Sequence, residues 1–158
     1  MIISSIIAFR GQDSLSTTEK WISHTHSAIA QAHHIEKTLL DMETGERGFL
    51  ITGNDHFLEP YDNGINQYED SLKKLKVQVS DNLVQVQKLE KIDVLVKKWH
   101  KLAATPEIAK RREVMTGAKD AKYLQVILTK GVGKGILDEM RQIFDTMIES
   151  FKIDGNVR

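Results

Sequence analysis

The apolar positions of this chain fall into four stripes at helical spacing. Trp21, Thr25, Ala28, Ala32, Ile35, Leu39, Met42, Glu46 and Phe49 step by four and three without a break. Such a seam over four heptads predicts a long helix packed in coiled-coil fashion. Leu58, Tyr61, Ile65, Tyr68, Leu72, Leu75 and Val79 form a second stripe, and Val86, Leu89, Ile92, Val96, Trp99 and Ala103 a third. The fourth holds Ile136, Met140, Ile143, Met147 and Phe151, with its helix expected to begin upstream near Ala118.

The joints carry their own signals. In "TGND" Gly53 suits a helix C-terminus and Asp55 an N-cap. Pro60 belongs in the first turn of the second helix. Ser80, Asp81 and Asn82 offer caps before the third, Thr105 caps a short new segment opening at Pro106, and "MTGAKD" reads as a loop or kink. Four long segments with short joints predict an all-α fold, a long antiparallel up-down-up-down four-helix bundle, as one domain over residues 1–158. Its first and last helices begin and end at one pole.

Composition narrows the function classes. The 22 basic and 22 acidic residues cancel, which removes the electrostatic argument for nucleic acid. No basic run is long enough to hold an anionic membrane surface. The absence of cysteine excludes disulfides, thiolate zinc and a cysteine nucleophile. No apolar run reaches the roughly 18 residues of a membrane span. "MIISSIIAF" followed by Arg10 reads either as the outer fringe of a membrane anchor (residues 1–12) or as an apolar tail.

Catalytic and metal chemistry find little support. A di-iron bundle needs Glu-x-x-His pairs, and the residue three before each of the six His is never Glu. His33 with Glu36 lacks a second pair, so solvated histidines and no metal or cofactor are expected. "TKGVGKG" imitates a phosphate loop, but Leu128 and Gly135 stand where the motif needs Gly and Ser or Thr. Gly131, Gly133 and Gly135 instead suit close helix approach or a local distortion. No catalytic residue is expected.

What remains is "DMETGERGFLITGNDHFLEPY", residues 41–61. Glu43 and Arg47 are spaced for a helical ion pair. Glu46 falls directly on the apolar seam, where a charge usually fixes register at a cost in stability. Gly45 and Gly48 make a small-residue strip, although each costs roughly 1 kcal/mol inside a helix. Thr44 and Thr52 add hydroxyls. Two readings stay open: a polar packing motif at the end of the bundle, or a ligand or switch site in which Arg47 meets an anion or carboxylate.

"ETGERGFLITG", followed by "FLEPY", resembles the signature of the third type of CHASE domain. Glu43, Thr44, Gly45, Arg47, Gly48, Phe49, Leu50, Ile51, Thr52 and Gly53 match its first part, and Phe57, Leu58 and Tyr61 the second. Gly131, Gly133, Lys134, Asp138 and Arg141 resemble the family's last helix more weakly, so the likeness spans residues 21–151. Met42 and Asn54 depart from the usual pattern.

The resemblance implies an extracytoplasmic sensory domain of a histidine kinase, cyclase or chemoreceptor, non-catalytic in itself. It would stand off the cell membrane between two flanking transmembrane helices, with residues 152–158 as a linker. The expected partners are an unidentified small-molecule or physical stimulus and a second copy in a homodimer. Glu43, Glu46, Arg47 and Tyr61 are the expected sensing or switching residues. Thr44, Gly45, Gly48, Phe49, Thr52 and Gly53 are the expected packing residues of the motif. A structural or dimerising rod that binds no ligand is the alternative.

Overall fold

The computed structural model describes residues 3–156; Met1, Ile2, Val157 and Arg158, which belong to the expected fringe and linker, lie outside the described residues. The first stripe becomes α1 (Ile3–Thr52). A 3-10 turn at Asp55–Leu58 leads into α2 (Glu59–Gln78). After α3 (Leu83–Trp99) comes a π-helical turn, His100–Ala104, and α4 (Thr105–Met115). The chain ends in α5 (Ala121–Leu128) and α6 (Val132–Asn156). No strand occurs among the described residues. No described helix is long and apolar enough to cross a membrane.

The helices run antiparallel in sequence order, as paired contacts show. His24 Nε2 donates to the Gln78 carbonyl at 3.0 Å at one end of the α1–α2 hairpin, while Gly48 meets the Phe57 ring at the other. Gln85 Nε2 donates to Ser150 Oγ at 2.9 Å and Lys91 pairs with Glu139 at 3.0 Å, so α6 runs back along α3. Arg141 reaches Glu43, closing α6 against α1. The heptad seam supplies the core: Ala32, Ile35, Met42, Phe49, Leu75, Leu89, Ile92, Trp99 and Met147 are essentially inaccessible. α6 buries a wider stripe than its heptad, because Leu137, Phe144 and Ile148 are covered too.

Three joints differ from expectation. Asn54, not Asp55, caps the 3-10 turn, accepting the His56 N–H at 3.0 Å, and Asp55 pairs with Arg112 at 2.8 Å. Thr105 is helical and caps nothing. Pro106 has no N–H for the helix ladder, and the chain absorbs it with the π turn, where the Thr105 N–H reaches back to the His100 carbonyl. α3 and α4 thus form one helix with a bulge. The last helix does not run unbroken from Ala118, because Gly131 at φ +63° separates α5 from α6.

Other joints follow the sequence reading. Gly53 takes φ +72° and its N–H bonds the Phe49 carbonyl at 2.7 Å, ending α1. Pro60 sits in the first turn of α2. Asn82 caps α3 by accepting the Gln85 N–H at 3.3 Å. Asn82→Ala should cost about 1 kcal/mol, a fall of roughly 2–4 °C in melting temperature by circular dichroism. An unchanged melting curve would remove this cap from the stabilising contacts.

Candidate functional site

Glu43, Glu46, Phe49, Leu50 and the glycines between them lie on two faces of the last turns of α1. The seam face puts Phe49 fully into the core, with the Arg112 guanidinium 5.5 Å from its ring centroid. Gly45 and Gly48 face the 3-10 turn. A Cβ on Gly45 would stand 2.6 Å from the Phe57 carbonyl oxygen, and one on Gly48 would stand 2.4 Å from Phe57 Cδ1. Only glycine lets the chain fold back this closely. Thr52 donates its hydroxyl to the Gly48 carbonyl at 2.7 Å and accepts the Asn54 N–H at 3.1 Å, tying the turn. Thr44, by contrast, is exposed rather than packed.

The Glu43 side chain is only 8% exposed, yet it makes two ion pairs. One oxygen meets Arg47, one turn on, at 3.2 Å; the other meets Arg141 of α6 at 2.6 Å. Arg141 is held from behind by Asp138 at 3.0 Å, and Asp138 also pairs with Lys134. These two cations hold the Asp138 carboxyl below its usual range. The expected Glu43–Arg47 pair is therefore one arm of a chain of charges that crosses between helices. Arg47 itself is 66% exposed.

Glu46 is more deeply placed, at 3% exposure. Its Oε1 is buried without a hydrogen-bond partner. Burial, then the facing Glu107 of α4, then Glu43, push its carboxyl up to about 8, with Arg47 opposing. Near neutral pH Glu46 is mostly protonated, and its proton is shared toward Glu107.

Tyr61 of α2 lies beyond, buried, its ring edge-on to Trp99 at 6.0 Å and stacked on His100 at 5.9 Å. Burial pushes its phenol up. The hydroxyl makes no hydrogen bond of ordinary geometry, although the Thr105 hydroxyl lies near enough to favour ionisation.

Glu43, Glu46 and Arg47 line one cleft of about 250 Å³, together with Trp99, Glu107 and Lys134. Tyr61 does not line it. A second cleft of about 270 Å³ opens on the other side of the ion pair, between His33, Leu40, Met140 and Phe144. Sequence reasoning missed Glu107, Trp99 and His100, and it did not connect Arg141 to Glu43. The signal for the last was a basic residue beside the α6 stripe; nothing local marked Glu107.

The CHASE3 domain matches residues 18–152 of the chain. Among solved structures, the chain is similar to the sensor domain of the Rhodopseudomonas palustris histidine kinase HK9. The TM-score is 0.63 and the identity 19%, over 81% of this chain and 95% of that one. That likeness is one of fold. None of the curated proteins compared with the chain matches it in sequence. The signature around Glu43 and Arg47 and the helical bundle agree with the matched domain, and the chain belongs to the CHASE3 family of extracytoplasmic sensory domains of signalling proteins.

Proposed function

We propose that this domain senses for a two-component histidine kinase receptor. In this reading it sits on the periplasmic or outer face of the cell membrane and is anchored by helices flanking the domain. It transmits its stimulus by moving α6 against α1. The observation that carries the reading is the 2.6 Å bridge from Glu43 on α1 to Arg141 on α6. The N-terminus of α1 and the C-terminus of α6 point to one pole, the geometry a membrane-anchored relay uses. A displacement of α6 along α1 would exchange the partners of an almost buried carboxylate. Breaking such a pair is costly, so two discrete registers are favoured over a continuum.

The receptor works as a homodimer in this reading. Leu83 and Val94, eleven residues apart on one face of α3, are exposed and available to a second copy.

The test uses the full receptor in membrane vesicles. Arg141→Met should change basal autophosphorylation or the stimulus midpoint by about fivefold or more, the scale of an ordinary coupling energy. Arg47→Ala removes only an exposed arm and should shift the domain's melting temperature by no more than roughly 2 °C. Arg141→Lys serves if the methionine variant fails to fold. A folded Arg141 variant with unaltered output would remove the α1–α6 bridge from transmission. A dose-dependent thermal shift with a small molecule separates a ligand sensor from a passive dimerising rod.

A further inference from the structure

The cleft beside Glu46 carries an imbalance of charge. Its carboxylates are Glu43 and Glu46 of α1 and Glu107 of α4; its cations are Arg47 of α1 and Lys134 of α6. Both cations have partners already, since Arg47 lies against Glu43 and Lys134 against Asp138. Arg111, one turn beyond Glu107, donates to the Ile51 carbonyl at 3.4 Å. Glu46 and Glu107 are left facing each other, and neither has a salt bridge among the described residues. Glu46 is 97% covered and lines the cleft with one oxygen unpartnered.

We propose that this cleft binds a small organic monocation, a primary alkylammonium, with Glu46 and Glu107 as its anionic partners and Trp99 on its wall. The ammonium brings three N–H donors and no acceptor, which is what two facing carboxylates lack. Charge-assisted bonds of this kind are the strong ones in a partly desolvated site. Leu50, Leu128 and Leu137 give the alkyl chain an apolar lining. About 250 Å³ limits the occupant to a small molecule. A bare metal ion fits less well, because no group of three His, Cys, Asp or Glu among the described residues is arranged to hold one. Free of ligand, the proton shared by the two carboxyls stands in for the cation. Binding therefore expels that proton: the ammonium enters, the proton leaves to solvent, and the charge balances.

This inference rests on the domain being a sensor and names the class of its ligand. Calorimetry of the chain with n-butylammonium, n-butanol and butyrate tests it, at pH 7 in two buffers of different ionisation enthalpy. Saturable binding is expected for butylammonium alone, with release of close to one proton. Affinity should be roughly tenfold tighter at pH 9, where the proton is already gone. Glu46→Gln and Glu107→Gln, each confirmed folded by its melting curve, should bind roughly tenfold or more weakly, and Glu46→Gln should release no proton. Butyrate binding as well as butylammonium, or full-strength binding by the glutamine variants, overturns the proposal. Arg141 does not line this cleft. An altered output in Arg141→Met without ammonium binding would thus sink the ligand class and leave the sensor reading standing. Ammonium binding with unaltered output would do the reverse.

Discussion

Gly45→Ala should lower the melting temperature by roughly 4–8 °C, and Gly135→Ala should leave it unchanged or raise it slightly. Both residues are helical, and in an open helix alanine is worth about 1 kcal/mol over glycine. Gly135 is in that situation, with nothing within 4 Å of a built Cβ. At Gly45 the added carbon would stand 2.6 Å from a backbone oxygen, that of Phe57. A backbone atom in a 3-10 turn cannot swing aside as a side-chain terminus can, so α1 and α2 must part. Overpacking of this kind costs about 1–3 kcal/mol. A contact this short with a backbone atom belongs at the upper end of that range. Less the propensity gain of about 1 kcal/mol, it leaves about 2 kcal/mol of net loss, which translates to the stated shift for a domain of this size. Gly64, whose Cβ would stand 2.3 Å from Cγ of the fully buried Met42, should lose stability on alanine substitution as well. Equal melting temperatures for the Gly45 and Gly135 variants would mean that the α1–α2 approach is not what holds glycine there.

That contrast also explains what was legible in the chain. The heptad seams were readable because burial in a bundle repeats with the helix. Trp21 to Phe49 on α1 and Tyr61 to Leu75 on α2 thus lie within helices of the expected phase, with Leu58 and Val79 just outside the ends of α2. The bulge at His100–Ala104 was not, because Pro106 announces a disturbance without saying whether the helix ends or bulges around it. In the site, the Glu43–Arg47 pair was visible as an i,i+4 spacing on one helix. Arg141 and Glu107 come from 98 and 61 positions beyond Glu43 and Glu46. No local rule encodes such meetings; they follow from which face of α4 and α6 turns toward α1. Glu46 was marked as a charge on the seam, and its burial follows from that position.

Glu46→Gln should stabilise the domain near pH 7 by about 2–3 kcal/mol, a rise of roughly 5–10 °C in melting temperature. The folded domain holds the Glu46 carboxyl at about 8, against 4.5 for the unfolded chain. Between those two values the folded state keeps a proton that the unfolded state has released. Stability therefore falls as pH rises from about 4.5 to 8, by about 1.4 kcal/mol per unit at the steepest. Glutamine has the shape of the protonated acid and cannot ionise, so it escapes this loss and its amide can donate to Glu107. The advantage of the variant should be much smaller at pH 5 and vanish only below about pH 4, where wild-type Glu46 is protonated in both states. Asp138 acts with the opposite sign and lower down: its carboxyl is held below 3.8 by Lys134 and Arg141, so its contribution is present above that value and lost only as pH falls through the folded one. The two effects occupy separate windows, and only the upper one depends on Glu46. Thermal unfolding of both proteins at pH 5 and pH 7.5 decides the matter. A gap that widens with pH supports a buried acid that shares its proton with Glu107; a gap of equal size at both would mean that Glu46 does not titrate in this window. It would also remove the proton that ammonium binding is expected to expel.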